Sequence, residues 1–225
     1  MNNKELSSHG QKLIAFYKEI ASSGVSYRDG TRNENAYNDF QLRKFRNIVQ
    51  SKLVSPEIRT VLDYGGGGSD WDAGSFDADS GSSAKEFFKL DNVIKFEPAR
   101  NMLTKAKADC VVCMDVLEHV FIADINMIVE ELFELADKLL IVNVACYKAA
   151  ALLPNNENAH VTVRSPDWWK GIFDVVSTKF PEIEVFLICS TSFSAGIVFD
   201  CFRSSDWHSS NTFCVEPTYR TFGAA

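Results

Sequence analysis

The stretch DCVVCMDV, Asp109 to Val116, is apolar on both of the alternating faces that a strand presents. A strand of that kind needs cover on both sides, which is the situation of a central strand in a parallel sheet packed between helices. KLLIVNVAC (138–146) has the same character, and TVLDY (60–64) and NVIKFEPA (92–99) read as shorter buried strands. Between and around these runs lie helical patterns: GQKLIAFYKEIA (10–21), about Tyr37 to Leu53, AKEFFKL (84–90), FIADINMIVEELFELA (121–136) and PDWWKGIFDVVSTKF (166–180). EVFLICST and AGIVFDCF, separated by SFS, predict an antiparallel pair closing the sheet. Alternating strands and helices without repeats or an evident linker predict one α/β domain over residues 1–225. Within it, 1–56 reads as a helical cap or lid, 57–204 as the core and 205–225 as an extension.

Several classes of protein are disfavoured at once. No apolar run approaches the roughly 18 residues of a membrane span, and MNNKELSSHGQKL has no apolar core of the signal-peptide kind. The expected location is the cytoplasm, where the six cysteines stay reduced. Cys110 and Cys113 make a formal CxxC, but residues three apart in a strand point to opposite faces and do not converge on a metal. No metal-ligating set is expected. The net charge of −7, with basic residues scattered, argues against nucleic-acid phosphate as a partner.

The chemistry concentrates in three places. VLDYGGGGSDW (61–71) sets four glycines after a buried strand, where a loop stripped of side chains admits close backbone approach by a ligand. A dinucleotide fingerprint wants G-x-G-x-x-G, whereas here Gly65 and Gly67 are followed by Asp70. With Asp63 before the loop and Asp72 after it, the site disfavours a diphosphate and suits a cation or an amino-bearing ligand. WDAGSFDADSGSSA beyond it predicts an exposed loop. Glu97, at the next strand end, can accept hydrogen bonds from both hydroxyls of a ribose, or simply meet solvent. Asp115 ends the central strand and opens DVLEHV (115–120).

Taken together, VLDYGGGG, FEP and DCVVCMDVLEHV resemble the class I S-adenosylmethionine-dependent methyltransferases, in particular the small-molecule branch with a DVLEH motif. The resemblance runs from about Val61 to Phe202. It implies a Rossmann-like three-layer sandwich, with a mostly parallel sheet of six to seven strands and an antiparallel C-terminal pair. It also implies that S-adenosylmethionine is the cofactor and S-adenosylhomocysteine the product. Carried over by position, Asp63 would anchor the methionine end, Gly65, Gly66 and Gly67 would let the backbone approach, and Glu97 would hold the ribose. Pro98 would cover one face of the adenine, and Asp115, Val116 and Leu117 would line the floor beside the methyl. Two departures stand out: Ser69 replaces the third glycine, and only eleven residues separate Glu97 from Asp109, which predicts a shortened sheet.

Methyl transfer needs in-line attack, so the protein chiefly positions two groups and removes a proton where the acceptor carries one. The acceptor, expected to be a small molecule with oxygen favoured over nitrogen, should meet the segment after the fourth strand. There NENAH and the following WW resemble a pattern in members of this methyltransferase group, which sets His160 beside the methyl. His160 reads as base, as substrate contact or as a structural cap, with Asp115 the other catalytic candidate. Tyr147, Asn155, Asn158, Arg164 and Trp168 are further candidate contacts, while Trp169 is expected in the core. His119 is expected to pack against the sheet edge, and His9 and His208 carry no chemical context. The loop with Tyr27, Arg28, Asp29 and Arg32, followed by Tyr37, is either a lid over the cofactor or plain surface. The rival readings are a nicotinamide-dependent oxidoreductase and a non-catalytic protein that binds a nucleoside cofactor.

Overall fold

The computed structural model describes residues 5–34, 41–55, 57–203 and 211–215. In chain order the elements are α1 (Ser8–Ser23), β1 (Val25–Tyr27), β2 (Arg32–Asn33), α2 (Leu42–Leu53) and β3 (Thr60–Tyr64). There follow α3 (Ala84–Phe87), β4 (Asn92–Phe96), β5 (Ala108–Met114), α4 (Ile125–Leu135) and β6 (Ala136–Ala145). The last third holds β7 (Ala151–Leu152), α5 (Pro166–Ser177), β8 (Glu184–Ser192), β9 (Ala195–Phe202) and β10 (Asn211–Val215).

The main sheet has seven strands in the order β10-β9-β8-β6-β5-β3-β4. The neighbours from β4 to β8 pair in parallel, and β9 runs antiparallel to both β8 and β10. The expected α/β class, mostly parallel sheet and antiparallel pair are all present. As expected from the short spacing after Glu97, β4 is the edge strand, so the sheet is shortened on that side. On the other side β10 lengthens it, so the segment read as an extension supplies a strand; residues 204–210, with His208, and 216–225 lie outside the described residues. Among the five parallel strands, the second in sequence lies outside the first, and the third lies inside it. Chain direction across the sheet therefore reverses between β3 and β5, and in such sheets ligands bind beyond the carboxyl ends of the strands at that reversal.

Two apolar layers cover the sheet. One face packs α4 and α5 through Ile125, Val129, Phe133, Trp169 and Phe173 against Val111, Cys113, Leu140 and Val142. The other packs α2 through Leu42, Phe45, Val49 and Leu53 against Cys110, Val112, Ile141 and Ile188. The two thiols of the CxxC thus enter opposite layers. The first 56 residues, read as one cap, divide between two jobs. α2 is a layer of the sandwich, whereas α1 and the β1–β2 hairpin pack against the chain after β6, through Leu13, Ile20, Val25, Leu153 and Ala159. The expected start of α2 at Tyr37 lies outside the described residues, as do Phe40 and Pro56.

The Gly-, Ser- and Asp-rich segment after the glycine loop is anchored rather than loosely exposed. Trp71 and Phe76 are each 2% exposed and pack with Phe88 in the α2 layer. Asp77 caps the turn by accepting from the Ser80 N–H and hydroxyl, and its carboxylate faces Arg46 of α2 at 3.6 Å. Two aromatics in a polar segment leave no periodic pattern, yet their burial sets the path of the chain.

At the amino end of the sheet, one carboxylate ties three strands together. Asp109 accepts from the N–H groups of Arg59 and Thr60, from the Thr60 hydroxyl and from Lys138 of β6. Burial opposes its ionisation, but the Lys138 ammonium and the two N–H donors outweigh that and hold the carboxyl well below the usual range. A depressed carboxyl stabilises the fold fully above the unfolded value of 3.8, and the contribution drains away as pH falls below it. Asp109→Asn is therefore expected to cost about 1–2 kcal/mol at pH 7, in urea unfolding, with the gap closing in acid.

Candidate functional site

The glycine loop is shaped by the acid beneath it. Asp63, the fourth residue of β3, is buried, and its Oδ2 accepts from the Ser69 hydroxyl at 2.5 Å and from the Trp71 indole at 2.8 Å. Burial pushes this carboxyl up, against the pull of those two donors and of Lys95. Its carboxylate sits so close under Gly66 that a Cβ there would lie 2.1 Å from Oδ2. Gly65, with φ +77°, leaves the strand in the left-handed region, where a Cβ would strike Val116 at 2.7 Å. The loop needs glycine at both positions for these reasons. Ser69 serves as the donor that closes the loop onto Asp63.

Glu97 straps the loop to the next strand. Its Oε2 accepts from the Gly67 N–H at 2.8 Å and its Oε1 from the Ala99 N–H at 2.9 Å. Both oxygens keep a lone pair for further donors. Pro98 and Ala99 continue into a short 3-10 turn, Pro98–Arg100, that walls the cavity with them.

Across the switch point, Asp115 leaves β5 with φ +60°, a left-handed conformation uncommon for a residue with a side chain, and its N–H is held by Asn143. The 3-10 turn Leu117–His119 comes next. Leu117 is fully buried in the sheet core, while Val116 reaches the cavity. Glu118 is wholly buried; its Oε1 accepts from the Ala145 N–H at 2.6 Å, and its Oε2 meets no N–H or hydroxyl donor among the described residues. Burial, then the charge of Asp115 and a hydrogen bond with its carboxyl, push the Glu118 carboxyl well up. Lys44 of α2 feels the fields of Asp115 and Glu118, although burial lowers its own ammonium.

His119 lies on the cavity wall, and His160 stands behind it, the two rings edge-to-face with centroids 4.9 Å apart. His160 Nδ1 is 2.5 Å from the Tyr147 carbonyl oxygen, so that nitrogen carries the proton. His119 Nδ1 lies 3.0 Å from the Ala159 carbonyl and 2.8 Å from the Tyr17 hydroxyl, which itself donates to the same carbonyl. Burial, then the nearby His160, lowers His119 to about 4, so the ring is neutral at pH 7.

These elements enclose a cavity of about 450 Å³ at the reversal of the sheet, within the range of small-molecule sites. Its roof is α1, contributing Gly10, Leu13, Ile14 and Tyr17, with Leu6 just before the helix. Asp124 pins that roof by accepting from both the N–H and hydroxyl of Ser7, each at 2.8 Å. Only glycine fits at position 10, where a Cβ would lie 2.2 Å from Asp124 Oδ2. At the far end Tyr64, Phe96, Met127 and Ile128 make an apolar wall. There Glu131 accepts from the Tyr64 hydroxyl and from Lys105, whose ammonium covers the Phe96 ring at 4.2 Å.

Of the cofactor-side candidates, Gly65, Gly67, Glu97, Pro98, Asp115 and Val116 line this cavity, whereas Asp63 and Gly66 shape its loop from below. The acceptor-side candidates are placed differently. Asn158 brackets the chain through the N–H and carbonyl of Ala149, and Asn155 bonds Glu157. Arg164 lies exposed over Trp168, and Tyr147 stacks edgewise on His160; none of the five lines the cavity. Trp169 is core, as expected. The hairpin carrying Tyr27, Arg28, Asp29 and Arg32 pairs with β7 and lies away from the cavity, so the covering element is α1. Sequence reasoning undervalued α1 and His119. The apolar stripe of α1 reads as ordinary core packing, though Gly10 and Tyr17 interrupt it. No family model, curated protein or solved structure matches this chain.

Gly66→Ala should destabilise the protein by about 1–3 kcal/mol in urea unfolding, because the added methyl collides with a buried carboxylate. Gly171→Ala, on the exposed face of α5 with nothing within 4 Å of its Cβ, should instead be neutral or stabilising.

Proposed function

We propose that the cavity binds S-adenosylmethionine and that the protein transfers its methyl group to a small-molecule hydroxyl. The observation that carries this reading is the path of the chain beyond the glycine loop. A diphosphate site needs a helix N-terminus directly behind the glycines, whose N–H groups and dipole meet the phosphates. Here the chain runs from Gly67 through the Trp71 and Phe76 anchors, and α3 begins only at Ala84. The loop instead offers backbone beside two acids, Glu97 and Asp115, on the cavity wall. That set suits a nucleoside with vicinal hydroxyls and a cationic, amino-bearing chain. It does not suit a dinucleotide, which disfavours the oxidoreductase alternative.

The residues fit the cofactor in character. Glu97 has lone pairs for a ribose diol, Pro98 and Ala99 give a flat apolar surface for a base, and Asp115 faces the space between cofactor and acceptor. The cofactor supplies an electrophilic methyl on a sulfonium. The chain's own work is to exclude water under α1, align the acceptor and hold its proton. His119, neutral and on the wall, can accept a hydrogen bond from an acceptor hydroxyl. His160 supports it from behind.

Titration calorimetry with S-adenosylmethionine, S-adenosylhomocysteine and NAD tests the reading. Both sulfur ligands are expected to bind, with NAD inert, and Glu97→Ala is expected to weaken them about tenfold or more. Binding of NAD alone would refute the assignment. Cofactor binding without turnover on any hydroxyl acceptor would favour a non-catalytic role.

A further inference from the structure

We propose that Glu118, His119 and His160 form a binding site for a divalent transition-metal ion against the inner wall of the cavity. Each offers a donor atom, and these atoms all lie within 4.8 Å of one another. Two come from the turn after β5 and the third from the chain beyond β7, so the main sheet edge and the post-β6 segment bring them together. A tetrahedral or octahedral ion with bonds near 2.1 Å sets adjacent ligands about 3.0–3.4 Å apart, so side-chain shifts on the order of an ångström close the set.

The independent sign is the state of the Glu118 carboxylate. Oε1 is committed to the Ala145 N–H, which fixes the side chain. Oε2 is buried on a side chain with no solvent exposure and meets no N–H or hydroxyl donor among the described residues, with the carboxyl of Asp115 within hydrogen-bonding reach. A buried acceptor left in that condition costs stability, and two adjacent acids compound the cost. Lys44 offsets part of the charge from a distance but makes no hydrogen bond to Oε2. A proton shared with Asp115 answers the deficit in the metal-free protein, and a cation bound at Oε2 would take its place.

The imidazoles are arranged in the same sense. In His160 the proton on Nδ1 points at the Tyr147 carbonyl, which leaves Nε2 as the basic nitrogen. In His119 a proton on Nδ1 is shared between the Ala159 carbonyl and the Tyr17 oxygen, so a metal bond from this ring would be made through Nε2. A histidine that ligates a metal through one nitrogen while the other donates to a carbonyl is the usual outer-shell arrangement, which sets tautomer and ring orientation together. Two imidazoles and one carboxylate select zinc, manganese or iron(II) over magnesium or calcium, which prefer all-oxygen sets. Of the three, His119 lines the cavity, so an ion held there would lie next to the space a small molecule occupies. An acceptor oxygen placed there would be polarised and oriented for attack. That use of the ion rests on the methyl-transfer reading, whereas the site itself does not.

The test uses the full chain, stripped with a chelator and titrated with Zn2+, Mn2+ and Mg2+ by calorimetry. S-adenosylhomocysteine binding is measured separately on the same samples. One equivalent of Zn2+ and of Mn2+ is expected to bind, with Mg2+ much weaker. His160→Ala and the near-isosteric Glu118→Gln should each weaken Zn2+ binding about a hundredfold or more while keeping the circular dichroism of the parent. No saturable binding, a preference for Mg2+, or affinity unchanged in both variants would overturn the site. Metal bound without S-adenosylhomocysteine would leave the site standing and sink the methyl-transfer reading; the reverse result would do the opposite.

Discussion

The cavity depends on a carboxylate that never reaches it. Asp63 is buried under the loop, and its Oδ2 gathers the Ser69 hydroxyl and the Trp71 indole, so the chain turns back over it within eight residues of leaving β3. The donors are worth more there than at the surface, because a buried acid without them would carry an uncompensated desolvation cost. The turn then presses Gly66 onto the carboxylate and Gly65 onto Val116, which leaves room for nothing larger than hydrogen at either position. Glu97 closes the arrangement from the neighbouring strand through the Gly67 N–H. The glycines answer to the acid beneath the loop at Gly66 and to Val116 across the crevice at Gly65, with Glu97 holding the loop from beside it.

Sheet topology turns that local geometry into an enclosed site. The reversal between β3 and β5 parts the connections to opposite faces, so the loops after the two strands diverge and leave a crevice between them. Helices on the two faces then have separate tasks. α2 and the Trp71–Phe88 segment seal one layer, and α4 and α5 seal the other. α1 belongs to neither; its amino end is held by Asp124 at the start of α4, and its apolar face looks down on the crevice. The roof is held at its amino end through a capping serine and along its length by Leu13, Tyr17 and Ile20 against the chain after β6, so it covers the crevice without belonging to either core layer.

Much of this was legible in the residues, and the parts that were not have physical reasons. DCVVCMDV reads as a central strand because burial on both faces leaves a continuous apolar run, and the opposed thiols of its CxxC follow from strand alternation alone. The Trp71 and Phe76 anchors escape notice because two aromatics in a polar segment have no period. β10 lies in a segment without strong alternation. It is recruited by the edge that β9 leaves unpaired, a demand of the sheet rather than of the local sequence. At the cavity, sequence places His160 in a persuasive local motif and His119 at a strand end. Only the three-dimensional path shows that the first stands behind the second, because the 158–160 segment folds back across the turn after β5 through Tyr17 and Ala159.

That edge-to-face pair of histidines beside a buried glutamate bears on why the wall is built from costly parts. Asp115 holds a left-handed backbone, Glu118 keeps an acceptor without an N–H or hydroxyl donor, and His119 is kept neutral by burial. Each departs from what packing alone would choose: Asp115 would be less strained as glycine, and Glu118 and His119 would be cheaper as apolar residues. The three lie within five residues at the carboxyl end of one central strand, opposite the glycine loop and under α1. The remaining layers are conventionally packed, with leucine, isoleucine, valine and phenylalanine meeting across the sheet. A fold that confines its unfavourable features to one side of one cavity tolerates them there for the sake of what the cavity holds.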